Sequence, residues 1–137
     1  MNANAITVSA QIAADKSKVW DYYTSPKHIK NWNFADPSWH CPEAKNDLKV
    51  GGTYFARMEA RDGSFGFDFE AEYTKINMGT GFTYEFGGRE CAVVLQESDD
   101  LTQITVTFEP EDQNPIDLQQ QGWQAILNNF KQYTESN

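Results

Sequence analysis

The chain has 137 residues, with 20 acidic and 11 basic side chains that give a net charge of -9, and its residues are 39% hydrophobic and 14% aromatic. The length suits one domain and the aromatic content exceeds that of disordered chains, so we expect a single globular domain over residues 1–137. The excess of negative charge disfavours nucleic acid and anionic membrane surfaces as partners.

The first part of the chain predicts a strand followed by two short helices. Apolar and polar residues alternate from Ile6 to Ile12, which is the period of a half-buried strand. Asp15 can cap a helix that carries Trp20 on its apolar side. Pro26 then begins a second short helix, which we expect to run to Trp32.

The middle of the chain predicts six strands joined by short connections. Pro42 interrupts the first of them, and proline is confined to edges or bulges because it cannot donate to a ladder. Short connections favour antiparallel neighbours. The predicted strands span residues 39–48, 53–61, 64–76, 82–86, 90–97 and 102–109.

The end of the chain predicts one long amphipathic helix with Gly122 and Trp123 at its head. Apolar residues from Trp123 to Tyr133 recur at intervals of three and four, which is helical spacing. An antiparallel sheet with one apolar face needs a cover, and this helix is the only long one that the pattern predicts. The expected fold is therefore α+β, with a sheet that curls around the last helix.

Several sequence landmarks support the same fold through a family resemblance. Their order and separations resemble the polyketide-cyclase and lipid-transfer superfamily, whose START-like or Bet v 1-like architecture is called the helix-grip fold. Within it they resemble the branch named after the activator of the Hsp90 ATPase, over about Ile6 to Tyr133. The resemblance implies a curved sheet of six or seven strands, with a cavity beneath the C-terminal helix. The landmarks are Val19–Trp20, Asn31–Trp32, Asp47–Gly52 and Gly122–Trp123.

Aromatic residues on the inner face of the predicted sheet are the first candidates for function. They could fill the interior, since protein cores are densely packed, or line the cavity that the resemblance implies. A ligand pocket also needs a few polar groups that orient the ligand. The candidate ligand-binding residues are Trp39, His40, Phe55, Arg57, Phe67, Phe69, Tyr84, Phe86, Trp123, Leu127 and Phe130.

The inward face of the strand at 53–61 is left open by the sequence. Phe55 and Arg57 share one face with Glu59, and Tyr54 shares the other with Met58; both faces contain apolar residues. An inward Arg57 would need a carboxylate partner. The alternative is an ion pair of Arg57 and Glu59 on the solvent side.

The sequence offers no metal, cofactor or catalytic motif. Cys41 and Cys91 stand far apart without a CxxC spacing, so we expect two reduced, buried thiols. His28 and His40 are the two histidines, whereas a zinc site ordinarily needs three or more protein ligands. His40 and Cys41 are neighbours on a strand, so their side chains should point to opposite faces.

Three functions remain, of which we favour binding of a small hydrophobic or aromatic ligand. The second is a co-chaperone or other partner-binding role, for which the acidic strand face of Asp68, Glu70 and Glu72 is the candidate surface. The third is a cyclase or hydrolase, which would require His40, Arg57 and Tyr84 to converge. We expect a cytoplasmic protein, because the sequence has neither a membrane-spanning apolar run nor the features of a signal peptide. A monomer and a homodimer both remain open, since the predicted edge strand could pair with a second copy but carries Pro42 and charged residues that protect edges.

Overall fold

A computed structural model describes residues 4–137, so the first three residues of the predicted domain lie outside it. The chain forms seven strands and three helices in these residues. The elements are β1 Ile6–Ile12, α1 Lys16–Thr24, α2 Pro26–Ile29, β2 Trp39–Asn46, β3 Thr53–Ala60, β4 Gly66–Asn77, β5 Gly81–Phe86, β6 Arg89–Ser98, β7 Leu101–Phe108 and α3 Ile116–Ser136.

The seven strands form one sheet in the order β1-β7-β6-β5-β4-β3-β2, with every neighbouring pair antiparallel. The predicted α+β helix-grip architecture is confirmed. The strand β2 lies at one edge of the sheet, and its register shifts between His40 and Glu43. Pro42 lies in that interval, where a missing N–H breaks no regular pairing.

The two short helices follow β1 as predicted. The carboxylate of Asp15 accepts a hydrogen bond from the Lys18 amide over 2.8 Å and so caps α1. Pro26 occupies the first turn of α2, which ends at Ile29 rather than at Trp32. The chain continues from there as a turn, in which the amide of Asn33 donates to the carbonyl of Ile29.

The helix α3 begins at Ile116, ahead of the Gly122–Trp123 pair that the sequence placed at its head. The apolar residues of its first turns, Ile116 and Leu118, are exposed and only two positions apart, so helical apolar periodicity does not reveal these turns. The Gln119 side chain holds this end of the helix to the preceding loop. It donates to the carbonyls of Glu111 and Asn114 and accepts from the amide of Glu111, over 2.8–3.0 Å.

The core lies between the concave face of the sheet and the helices. Trp123 of α3 stacks on Phe108 of β7 with ring centroids 3.9 Å apart. Phe130, about two helical turns further along, is fully buried and meets Tyr23 and Trp32 edge to face. These contacts fix the helix across the sheet.

Candidate functional site

A cavity of about 190 Å³ lies between the concave face of the sheet and α3. It is smaller than the ~300–1,000 Å³ of most ligand pockets, and similar in size to a ~150 Å³ engineered cavity that takes up benzene. No charged side chain is among its lining residues. The lining residues are Val8, Tyr23, Trp32, Asn33, Tyr54, Met58, Phe67, Phe69, Phe82, Tyr84, Val106, Trp123, Ile126 and Leu127.

Five of the residues proposed from the sequence line this cavity: Phe67, Phe69, Tyr84, Trp123 and Leu127. The strands β4 and β5 supply the first three, and the inner face of α3 supplies the other two. Phe67 is also 44% exposed to solvent, so it lies at the mouth of the cavity.

Two further candidates, Phe86 and Phe130, are buried beside the cavity but do not line it. Phe86 packs between Phe69 and Trp123, with centroid separations of 5.1 and 6.2 Å. Both rings support the walls rather than form them.

The candidates Phe55, Arg57 and His40 point away from the cavity. The buried residues of β3 are those of the other face, from Tyr54 to Ala60, which settles the choice that the sequence left open. Arg57 Nε lies 2.9 Å from Glu59 Oε2, and its Nη1 lies 3.1 Å from Asp68 Oδ1.

His40 joins the same outer-face cluster, because it pairs in register with Glu59. Its Nε2 lies 3.6 Å from Glu59 Oε1. These placements correct the choice of His40, Phe55 and Arg57 as ligand-binding candidates. Tyr84 lies inside the cavity, so His40, Arg57 and Tyr84 do not converge as a cyclase or hydrolase site would require.

Trp39 lies on the concave side of β2, next to the cavity mouth. It pairs with the buried Ala60, and its ring centroid is 5.9 Å from that of Phe65 and 6.1 Å from that of Phe67. Phe65 is 62% exposed. We call Trp39, Phe65 and Phe67 the aromatic rim.

The polar group of the cavity is a pair formed by Asn33 and Tyr54, of which the sequence reasoning missed Asn33. Asn33 Nδ2 donates a hydrogen bond to Tyr54 Oη over 3.2 Å. Asn33 lies in the turn after α2 and is 9% exposed. The sequence showed only a polar residue, Asn33, directly after the Asn31–Trp32 landmark. A residue in a turn belongs to no periodic pattern, so the sequence did not show which way its side chain points.

The titratable groups around the cavity are held neutral. Burial raises the pKa of Tyr23, Tyr54 and Tyr84 above the ordinary value for a phenol. Burial also raises the pKa of the Cys91 thiol to about 12, although a hydrogen bond from Tyr84 opposes this. The phenols therefore remain hydrogen-bond donors at neutral pH, and Cys91 is not a thiolate nucleophile.

The remaining reactive residues are placed outside the cavity. Cys41 is buried and free, and burial raises its pKa to about 11. His28 Nδ1 lies 2.7 Å from Tyr133 Oη, and its ring stacks on Tyr22 at 3.9 Å. In residues 4–137 no cluster of three or more His, Cys, Asp or Glu is arranged to hold a metal ion. No helix in the described part of the chain has the length and apolarity to cross a bilayer.

A curved antiparallel sheet, closed by a long C-terminal helix over a neutral aromatic cavity, defines a helix-grip protein. The family model described as Activator of Hsp90 ATPase homolog 1-like protein matches residues 13–135. The chain therefore belongs to this family, as the sequence landmarks indicated.

Several solved structures share the fold along nearly the whole chain. A Cytophaga hutchinsonii protein is 47% identical, with a TM-score of 0.84, and the match covers 98% of this chain and 94% of that one. An AHSA1-like protein from Aeromonas hydrophila is 36% identical, with a TM-score of 0.91 and coverages of 96% and 92%. A Nitrosomonas europaea protein, 16% identical with a TM-score of 0.84 and coverages of 99% and 97%, shares the fold alone. No curated protein matches the chain.

Proposed function

We propose that this protein binds a small hydrophobic or aromatic molecule in the cavity between the sheet and α3. The observation that carries the proposal is the cavity itself, about 190 Å³ in volume, in a domain whose remaining inner-face side chains pack closely. An apolar pocket with one convergent polar pair is the usual form of a small-molecule site.

The first test is native mass spectrometry of the protein purified from its own host, followed by extraction of any retained molecule. A retained compound, or a rise in melting temperature with added small aromatic compounds, is the expected result. A ligand-free mass and an unchanged melting temperature across such compounds would contradict the proposal.

A pair of matched variants locates the binding site. Val106 lines the cavity on β7, whereas Val94, on the neighbouring strand β6, is 43% exposed. Val106→Phe places a ring in the cavity, so it should abolish binding while circular dichroism shows a folded sheet. Val94→Phe makes the same change on the outer face and should bind as the wild type does. Equal binding by both variants would place the ligand elsewhere.

A second candidate function is binding to a chaperone partner, which the exposed aromatic rim and the family favour. Phe65 and Phe67 both contact Trp39 and are exposed at 62% and 44%, so the rim is a contiguous apolar patch, and such patches often mark interaction sites. The acidic face proposed from the sequence is less suitable, because Asp68 is already paired with Arg57.

The chaperone hypothesis is tested with the ATPase rate of the Hsp90 from the same host. The protein should raise that rate, Phe65→Ser should reduce the effect, and Met78→Ser should preserve it. Met78 is as exposed as Phe65, at 65%, but is not part of the rim. An unchanged ATPase rate would eliminate this candidate.

A further inference from the structure

We infer that the cavity selects neutral aromatic molecules that carry one uncharged hydrogen-bonding group, held by Asn33 and Tyr54, and that it rejects ionised acids and amines. This inference rests on the proposed function and specifies its ligand. Three features of the cavity carry it: its charge, its polar pair and its walls.

The charge of the cavity is the first feature. All fourteen lining residues are uncharged, and Arg57, the cation that the sequence offered as a partner for a ligand acid, is paired with carboxylates on the opposite face of the sheet. A carboxylate or ammonium that enters an apolar site loses its hydration and gains no counter-ion. The cavity therefore favours the neutral member of any pair of ligands with the same shape.

The polar pair is the second feature. The bond from Asn33 to Tyr54 uses one N–H of the amide and one lone pair of the phenol. The amide oxygen of Asn33 and the phenolic proton of Tyr54 are then available to a ligand as an acceptor and a donor. Burial raises the pKa of Tyr54, so the phenol keeps that proton. A primary amide or a hydroxyl on the ligand can use both groups at once.

The walls are the third feature. Eight of the fourteen lining residues are aromatic. The ring centroids of neighbours such as Tyr54 and Tyr84 are 5.6 Å apart, a distance at which tilted aromatic rings attract one another. A flat ring can make further contacts of this kind, whereas a flexible acyl chain cannot. A volume of about 190 Å³ accommodates one or two fused rings but not a long chain.

The experiment compares 2-naphthamide, 2-naphthoate and naphthalene at pH 7, with binding measured by calorimetry and by amide chemical-shift changes. The amide and the carboxylate have nearly the same shape and differ in charge. We expect naphthamide to bind at least tenfold more tightly than naphthoate, with shifts at Asn33 and Tyr54. Equal affinities would overturn the inference and leave the proposed function intact. No binding of any of the three compounds would overturn the inference, whereas the proposed function is decided separately by the molecule retained from the host.

Variants test the role of the polar pair. Tyr54→Phe removes only the phenolic oxygen and should weaken naphthamide several-fold while naphthalene binds as before. The matched control is Tyr73→Phe, since the Tyr73 hydroxyl donates to Asn46 Oδ1 over 2.7 Å and does not line the cavity. An equal loss of naphthamide affinity in both variants would overturn the assignment of the pair. If Tyr54→Phe does not fold, the comparison of ligands on the wild type still decides the charge preference.

Discussion

Replacement of Trp123 by alanine tests whether this indole fastens α3 to the sheet. The ring stacks on Phe108 at 3.9 Å with an interplanar angle of 10°, and it also meets Phe86. Removal of a core tryptophan or phenylalanine costs about 3–5 kcal/mol of unfolding free energy. Trp123 is half-buried and one side faces the cavity, where contacts are already missing. We therefore expect a loss near the lower end, about 3 kcal/mol.

The assay is urea unfolding followed by far-ultraviolet circular dichroism, which does not depend on the lost indole. The slope of the unfolding free energy against urea concentration should stay the same, while the urea concentration at the midpoint of unfolding falls. Leu118→Ala on the same helix is the matched control, since Leu118 is 55% exposed and a surface change should stay within about 0.5 kcal/mol. A loss below about 1 kcal/mol for Trp123→Ala would refute the reasoning, because it would mean that the helix is held without this ring.

Two further predictions concern pH and glycine. Burial lowers the pKa of His28 from its ordinary value of 6.5, so the neutral ring stabilises the fold above that pH, and this contribution is lost as the pH falls through the lower folded pKa. Urea midpoints between pH 7.5 and 5.5 should therefore fall more for the wild type than for His28→Gln, and parallel curves would contradict this. A Cβ on Gly81 would collide with the Val93 carbonyl oxygen, whereas one on Gly122 meets nothing within 4 Å. Gly81→Ala should cost about 1–3 kcal/mol, and Gly122→Ala within α3 should add about 0.5–1 kcal/mol; changes of the same sign would contradict this reading.

The fold was predictable because its signals are local and agree with one another. Alternation from Ile6 to Ile12 and the turns between strands determine which neighbours can pair, and one antiparallel sheet with a single cover leaves little choice of architecture. The start of α3 was missed because its first turns are held by Gln119 rather than by an apolar stripe. A helix end held by polar contacts has no hydrophobic period to detect.

The site was predicted only in part, for a different physical reason. Phe67, Phe69 and Tyr84 followed from alternation, since the sheet has one face turned towards the helix. The strand β3 has apolar residues on both faces, so its alternation did not decide between Tyr54 and Arg57. The rule that charged residues are rarely buried supported the outward alternative, and that alternative is the arrangement found, since Arg57 pairs with Glu59 and Asp68 on the outer face.

The cavity itself argues for a ligand, because an unfilled space in a core is costly. At about 24 cal/mol per Å³, a void of about 190 Å³ corresponds to at most 4–5 kcal/mol of lost stability. A domain of this kind has a total stability of about 5–15 kcal/mol, so the loss is large. The surrounding rings are already packed against one another, as Trp123 is on Phe108, so a collapse into the gap would break those contacts. A neutral aromatic molecule that meets Asn33 and Tyr54 would restore the missing contacts without burying a charge.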